Sequence, residues 1–144
     1  MSHHHKDGEC ECCKNGIESM RLKQEEGLKK YGWFAHFVSN DPDTPYNMNI
    51  HTHGLKEGYG HRDIQICMRL PMPTANSILG EVAERIKKGE VFEPGKKYSK
   101  IIKNYDVIFV EAEECERPVL RIILPNVDGS FEGGIAQEQL KGTK

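Results

Sequence analysis

The chain has 144 residues, 37% of them hydrophobic and 29% charged, with a formal net charge of -2. A chain of this length buries a core as one domain without staples. The balanced charge offers no basic stripe for nucleic acid. The longest apolar runs, such as Ile122-Ile123-Leu124, fall far short of the roughly 18 residues that span a membrane. The opening MSHHHKDGECECC lacks the apolar core of a secretory signal, so the cytoplasm is the expected location.

Residues 1–14 read as a Cys/His-rich tail, with His3, His4, His5, Cys10, Cys12 and Cys13 and almost no aliphatic side chain. Burial cannot offset the ordering entropy of such a segment unless a metal ties it down. Five cysteines in this arrangement are not a disulfide framework. In a reducing compartment Cys10, Cys12 and Cys13 are thiols or soft-metal ligands.

A helix is expected from Asn15 or Gly16 to about Lys30, where Ile17, Met20, Leu28 and Tyr31 form a thin apolar stripe that Gly32 ends. The strand Trp33–Val38 follows, and Ser39–Pro45 is rich in turn residues. Asn47–Gly54 then alternates, with Met48, Ile50 and Thr52 on one face and Asn49, His51 and His53 on the other. The stretch Leu55–Arg62, with Gly58 and Gly60, reads as a loop. Asp63–Leu70 alternates again, with Ile64, Ile66, Met68 and Leu70 opposite Gln65, Cys67 and Arg69. The two strands are expected to pair antiparallel, one face on a core.

Pro71-Met72-Pro73 breaks the chain, and Thr74 is the expected N-cap of an amphipathic helix to Lys88, closed by Gly89. Tyr98–Asn104 has an ambiguous pattern that admits a short helical turn. Tyr105–Glu111 and Val119–Leu124 are expected strands, joined through Glu113–Pro118, and the polar end from Gly133 is expected to fray. The order α-β-β-β-α-β-β predicts an α+β fold: a single compact domain at residues 15–132, followed by a polar tail at 133–144. Its sheet is antiparallel or mostly antiparallel, of about five strands, with two main helices.

The hairpin face is the leading candidate for chemistry. Residues two apart share a face, so His51 and His53 stand together. A register with His51 opposite Cys67 and His53 opposite Gln65 brings two imidazoles and a thiolate to neighbouring positions. That donor set suits zinc, with His36, His61 or the thiols of Cys10, Cys12 and Cys13 completing the shell. The same residues admit a thiol-dependent hydrolase, with Cys67 as nucleophile and His51 or His53 as its base. An interaction module without chemistry, a homodimer through an exposed sheet edge, is the reading from another class. No glycine pattern opens a helix as a phosphate loop does, so no nucleotide cofactor is expected. The acidic run Glu111, Glu113, Glu114 and Glu116 reads as a solvated strand end, and Arg117 and Arg121 as ion-paired sheet residues.

Several of these residues also carry a family pattern: Tyr31-Gly32-Trp33, Thr52-x-Gly54-Leu55 followed by Gly60-His61, Leu70-Pro71, and Gly89-x-x-Phe92-x-x-Gly95. From about Tyr31 to Phe131 the chain resembles the bacterial domain of unknown function 4262 family. The family pattern has an aromatic residue before the Thr and Pro-Glu after the Gly-His, where this chain has His51 and Arg62-Asp63. The double histidine is therefore a subgroup feature. The resemblance implies one compact bacterial domain and brings no activity, cofactor or catalytic residue.

Overall fold

The period-two stretches of the sequence assemble into one six-stranded sheet, seen in a computed structural model that describes residues 32–42, 44–114, 116–141 and 143. The strands are β1 (Phe34–Ser39), β2 (Met48–His53), β3 (Asp63–Ile66), β4 (Lys97–Ile102), β5 (Tyr105–Glu114) and β6 (Arg117–Ile123). Their order is β1-β2-β3-β6-β5-β4. All neighbours are antiparallel except β3 and β6, which run parallel. A parallel pair needs a crossover, and the chain from β3 to β6 supplies it through the long helix and β4 and β5. The helix expected between Asn15 and Lys30 lies outside the described residues.

Three helices are described: α1 (Leu55–Tyr59), α2 (Met72–Lys87) and α3 (Gly134–Glu138). In α2, Ala75, Ile78, Leu79, Val82, Ala83 and Ile86 are buried, which is the one-sided stripe of an amphipathic helix. They pack on Ile50, Ile64, Ile66, Leu120, Ile122 and Phe109 of the sheet. The helix starts at Met72 with Pro71 as N-cap, not at Thr74. Proline fits a first turn, where its missing N–H has no partner to lose, so Pro73 starts the helix rather than breaking it. At the other end Gly89 takes φ 99°, its N–H donates to the Ile86 carbonyl, and the Glu90 N–H donates to the Arg85 carbonyl. That is the paired closure for which a left-handed residue is needed.

The expected loop at 55–62 holds α1 instead, bounded by Gly54 and Gly60 in left-handed conformations. Tyr98–Asn104 is not a helical turn: β4 covers most of it, as an outer strand. Its lysines Lys97 and Lys100 are exposed, and its pairing with β5 is irregular between Tyr98 and Ile102. Both devices discourage a second strand from adding there. The third expected strand stops at Ile66 rather than Leu70, and the β5–β6 hairpin is tighter than expected, with Glu114 paired to Arg117.

The C-terminal segment does not fray at Gly133. In α3 Ala136 is buried, and just beyond it the buried Gln139 side chain accepts from the Leu124 N–H at 2.9 Å and donates to the Leu124 carbonyl at 2.8 Å. This amide pair extends the end of β6. No helix among the described residues is long and apolar enough to cross a membrane.

Candidate functional site

With one sheet face committed to α2, the alternate residues stand on the other face. These include His36 on β1, Asn49, His51 and His53 on β2, Gln65 on β3, and Arg121 on β6. Most are buried although polar: His51 and Gln65 are 0% exposed and Arg121 2%. Buried polar groups must satisfy one another, and here they form a chain.

Arg121 begins it. A guanidinium only donates, so its Nε–H contact of 2.7 Å identifies the Gln65 atom as Oε1. The Gln65 amide nitrogen then donates to Asn49 Oδ1 at 3.0 Å, and the Asn49 amide nitrogen donates to Asp41 Oδ2 at 3.2 Å. Asn49 Oδ1 is thus an acceptor, and His51 Nδ1, 2.9 Å away, carries the proton that it accepts. When neutral, the His51 ring then keeps its lone pair on Nε2. Arg121 is itself held by the carbonyls of Gln139 at 3.0 Å and Lys141 at 2.6 Å.

The β1–β2 register sets His36 directly against His51, with His53 two residues along. The three rings lie edge-on or tilted, with centroids 5.0, 4.8 and 6.0 Å apart. One ligand nitrogen from each lies within 4.8 Å of the others. Burial first, and then the Arg117 charge, hold His36 below the ordinary histidine range. The same causes, with His36 third, push His53 down to about 3. Both shifts favour the neutral ring, the form that ligates metal.

Arg117 enters where β2 and β3 part. Ladder pairing is present at Ile50–Ile66 and His51–Gln65. One residue on, the Ile64 N–H donates to Thr52 Oγ1 at 3.0 Å, and the Thr52 carbonyl takes Arg117 Nη2 at 2.7 Å. The Thr52 hydroxyl donates to Asp63 Oδ1 at 2.7 Å, the Leu55 N–H donates to the same oxygen, and Arg117 Nη1 pairs with Asp63 Oδ2 at 2.8 Å. Arg117 Nε reaches Glu114 Oε1 at 3.0 Å, and that oxygen lies 3.4 Å from His51 Nε2. Glu114 is buried, not part of a solvated strand end.

The histidine part of the expected donor set is brought together; the rest is not. The register is displaced by two residues, so His51 opposes Gln65 rather than Cys67. A shift of two keeps every side chain on its face, and β3 stops at Ile66, one residue before Cys67. The thiol is buried, and burial pushes it up to about 12, with Arg121 opposing and Asp41 adding to the rise. His61 is engaged elsewhere: its Nε2 accepts the Phe92 N–H at 3.0 Å, so its Nδ1 donates to the Arg62 carbonyl at 2.8 Å. Cys10, Cys12 and Cys13 lie outside the described residues. Glu114 and Asn49 were the residues missed; the alternation of β5, which turns Ala112 and Glu114 to one buried face, was the available signal for the first.

A family model described as Domain of unknown function (DUF4262) matches residues 27–132. The chain belongs to the DUF4262 family. Comparison with curated proteins and with solved structures gives no match. The motifs that mark this DUF4262 domain act as joints. Thr52 and Leu55 bolt β2 to Asp63, and His61 ties the end of α1 to Phe92. The three-histidine cluster stands beside those joints rather than in them.

Proposed function

We propose that this DUF4262 domain is a metal-binding protein whose ligands include His36, His51 and His53, with zinc the favoured ion. The observation that carries this reading is the approach of three imidazole nitrogens to within 4.8 Å of one another. A tetrahedral ion at about 2.0–2.1 Å from each nitrogen needs them about 3.3 Å apart, so modest side-chain rotation closes the set. The fixed tautomer of His51 supports it, because an outer partner that holds one ring nitrogen orients the other toward metal. The charges support it too: Arg117 is matched by two carboxylates, Asp63 and Glu114, so neutral imidazoles leave the cluster with net negative charge. The hydrolase reading loses its thiolate, since a thiol at about 12 is protonated at neutral pH.

The test is metal content by mass spectrometry on the full chain, purified without a metal column. Cys10, Cys12 and Cys13 are changed to Ser so that the tail thiols do not contribute. About one zinc per chain is expected, and the pair His51→Asn and His53→Asn should abolish it. Unchanged zinc in that variant discards the site.

A further inference from the structure

We propose that Glu114 is the fourth protein ligand of this metal, so that the site is closed and serves as a staple rather than as a centre that activates water. The inference rests on the three-histidine reading above. It starts from one distance. Glu114 Oε1 lies 3.4 Å from His51 Nε2, the ring nitrogen opposite the one that Asn49 engages. Neighbouring ligand atoms of a tetrahedral ion stand about 3.3 Å apart, so these two atoms already have the spacing of a shared ion.

Ladder pairing alone would keep this carboxylate far from β2. In strand order β3 and β6 lie between β2 and β5. Strands about 4.8 Å apart put β2 and β5 roughly 14 Å from each other in the plane of the sheet. The contact forms because β3 begins late, at Asp63, and the ladder between β2 and β3 has already opened at Thr52. The end of the β5–β6 hairpin meets that opening, where Arg117 fastens it to the Thr52 carbonyl and to Asp63. Its Nε–H holds Glu114 Oε1, which leaves the oxygen a further lone pair for metal. Ligating carboxylates are characteristically held in this way by an outer donor.

Four protein ligands fill a tetrahedral shell. Catalytic zinc keeps a position open for water, whereas structural zinc does not. A His36, His51, His53 and Glu114 set would join the paired strands β1 and β2 to β5, which the ladder alone connects to them only through β3 and β6. Metal binding then becomes folding free energy.

Cobalt(II) tests this on the full chain with Cys10, Cys12 and Cys13 changed to Ser, because its visible bands report coordination. In the parent chain a four-coordinate spectrum is expected, unchanged by azide. In Glu114→Gln, which keeps an oxygen for Arg117, affinity should fall about 10-fold or more, and azide should alter the bands by occupying the vacated position. Equal affinity and identical, azide-silent spectra in parent and variant would overturn the inference while leaving three-histidine binding intact. An azide-responsive parent would overturn it as well. Cobalt that stays bound in His51→Asn overturns the site and the inference together. Should the Gln variant fail to fold, Glu114→Asp decides: weakened binding in a folded chain supports the fourth ligand, and unchanged binding rejects it.

Discussion

Arg121 Nε donates to Gln65 Oε1 at 2.7 Å, and through that one bond the guanidinium decides which nitrogen of His51 carries a proton. Neither Arg121 nor Gln65 is among the proposed ligands, yet both orient His51. Gln65→Leu keeps the volume and removes the relay. The expected result is metal affinity lower by about 10–100-fold, as for loss of an outer partner. Stability should fall as well, by about 1–3 kcal/mol for each buried group left unmatched. Isothermal titration with zinc, alongside urea unfolding of the metal-free chain, separates the two effects. Full affinity in a destabilised variant would show that the relay is structural only.

A second prediction concerns the opening between β2 and β3. Thr52 is there both donor and acceptor: its hydroxyl gives to Asp63 and receives from the Ile64 N–H. Thr52→Val preserves shape and removes both bonds in a site where Thr52 is 0% exposed. The orphaned Ile64 N–H, together with the loss of one of the two donors to Asp63 Oδ1, should cost about 1–3 kcal/mol. The midpoint of urea unfolding should move down at unchanged slope, because the surface exposed on unfolding is the same. A midpoint within error of the parent would mean that water replaces the hydroxyl.

How much of this was legible in the sequence differs by residue. Alternation put His51 and Gln65 on one face correctly, because side-chain direction follows a period of two. It could not choose between registers two residues apart, which preserve that face, and so it misjudged the partner of His51. The α2 stripe was readable because six apolar residues recur at helical spacing. The α1 turn was hidden by Gly58 and Gly60, which read as loop. Glu114 was hidden by its company: among Glu111, Glu113 and Glu116 it looks like one more solvated charge. Its place beside His51 comes from the end of the hairpin meeting the opening before β3, a contact between strands that do not pair. Residues that act through a strand's neighbours are readable from pattern; those that act across a gap in the sheet are not.

Cys67 makes a prediction about pH. Burial raises its thiol to about 12 from an ordinary value near 9. The reactive species in alkylation is the thiolate, so an ordinary cysteine reacts faster as pH approaches 9 and then levels off. Cys67 should stay unlabelled by iodoacetamide from pH 7 to pH 10 in the folded chain and react fully in urea, as read by peptide mass spectrometry. The linkage has the matching sign. A raised thiol pKa stabilises the fold below the unfolded value, and that contribution is lost as pH climbs from about 9 toward 12. Rapid labelling of native Cys67 at pH 8 would contradict the buried thiol and restore the nucleophile reading.

Metal removal gives the last prediction, because it joins the site to the fold. A ligand that binds only the native state stabilises it by about 2.7 kcal/mol when its free concentration is a hundred times Kd. For a domain of this size that corresponds to about 5–10 °C in Tm. Adding zinc to metal-free protein should therefore raise Tm by that order, and a chelator should reverse it. The pair His51→Asn and His53→Asn should show no rise. His61→Leu supplies the contrast. It loses the acceptor of the Phe92 N–H and should lower Tm outright, yet keep the full zinc-dependent rise. A rise that vanished with His61 and survived without His51 and His53 would move the metal from the polar sheet face to the α1 end of the molecule.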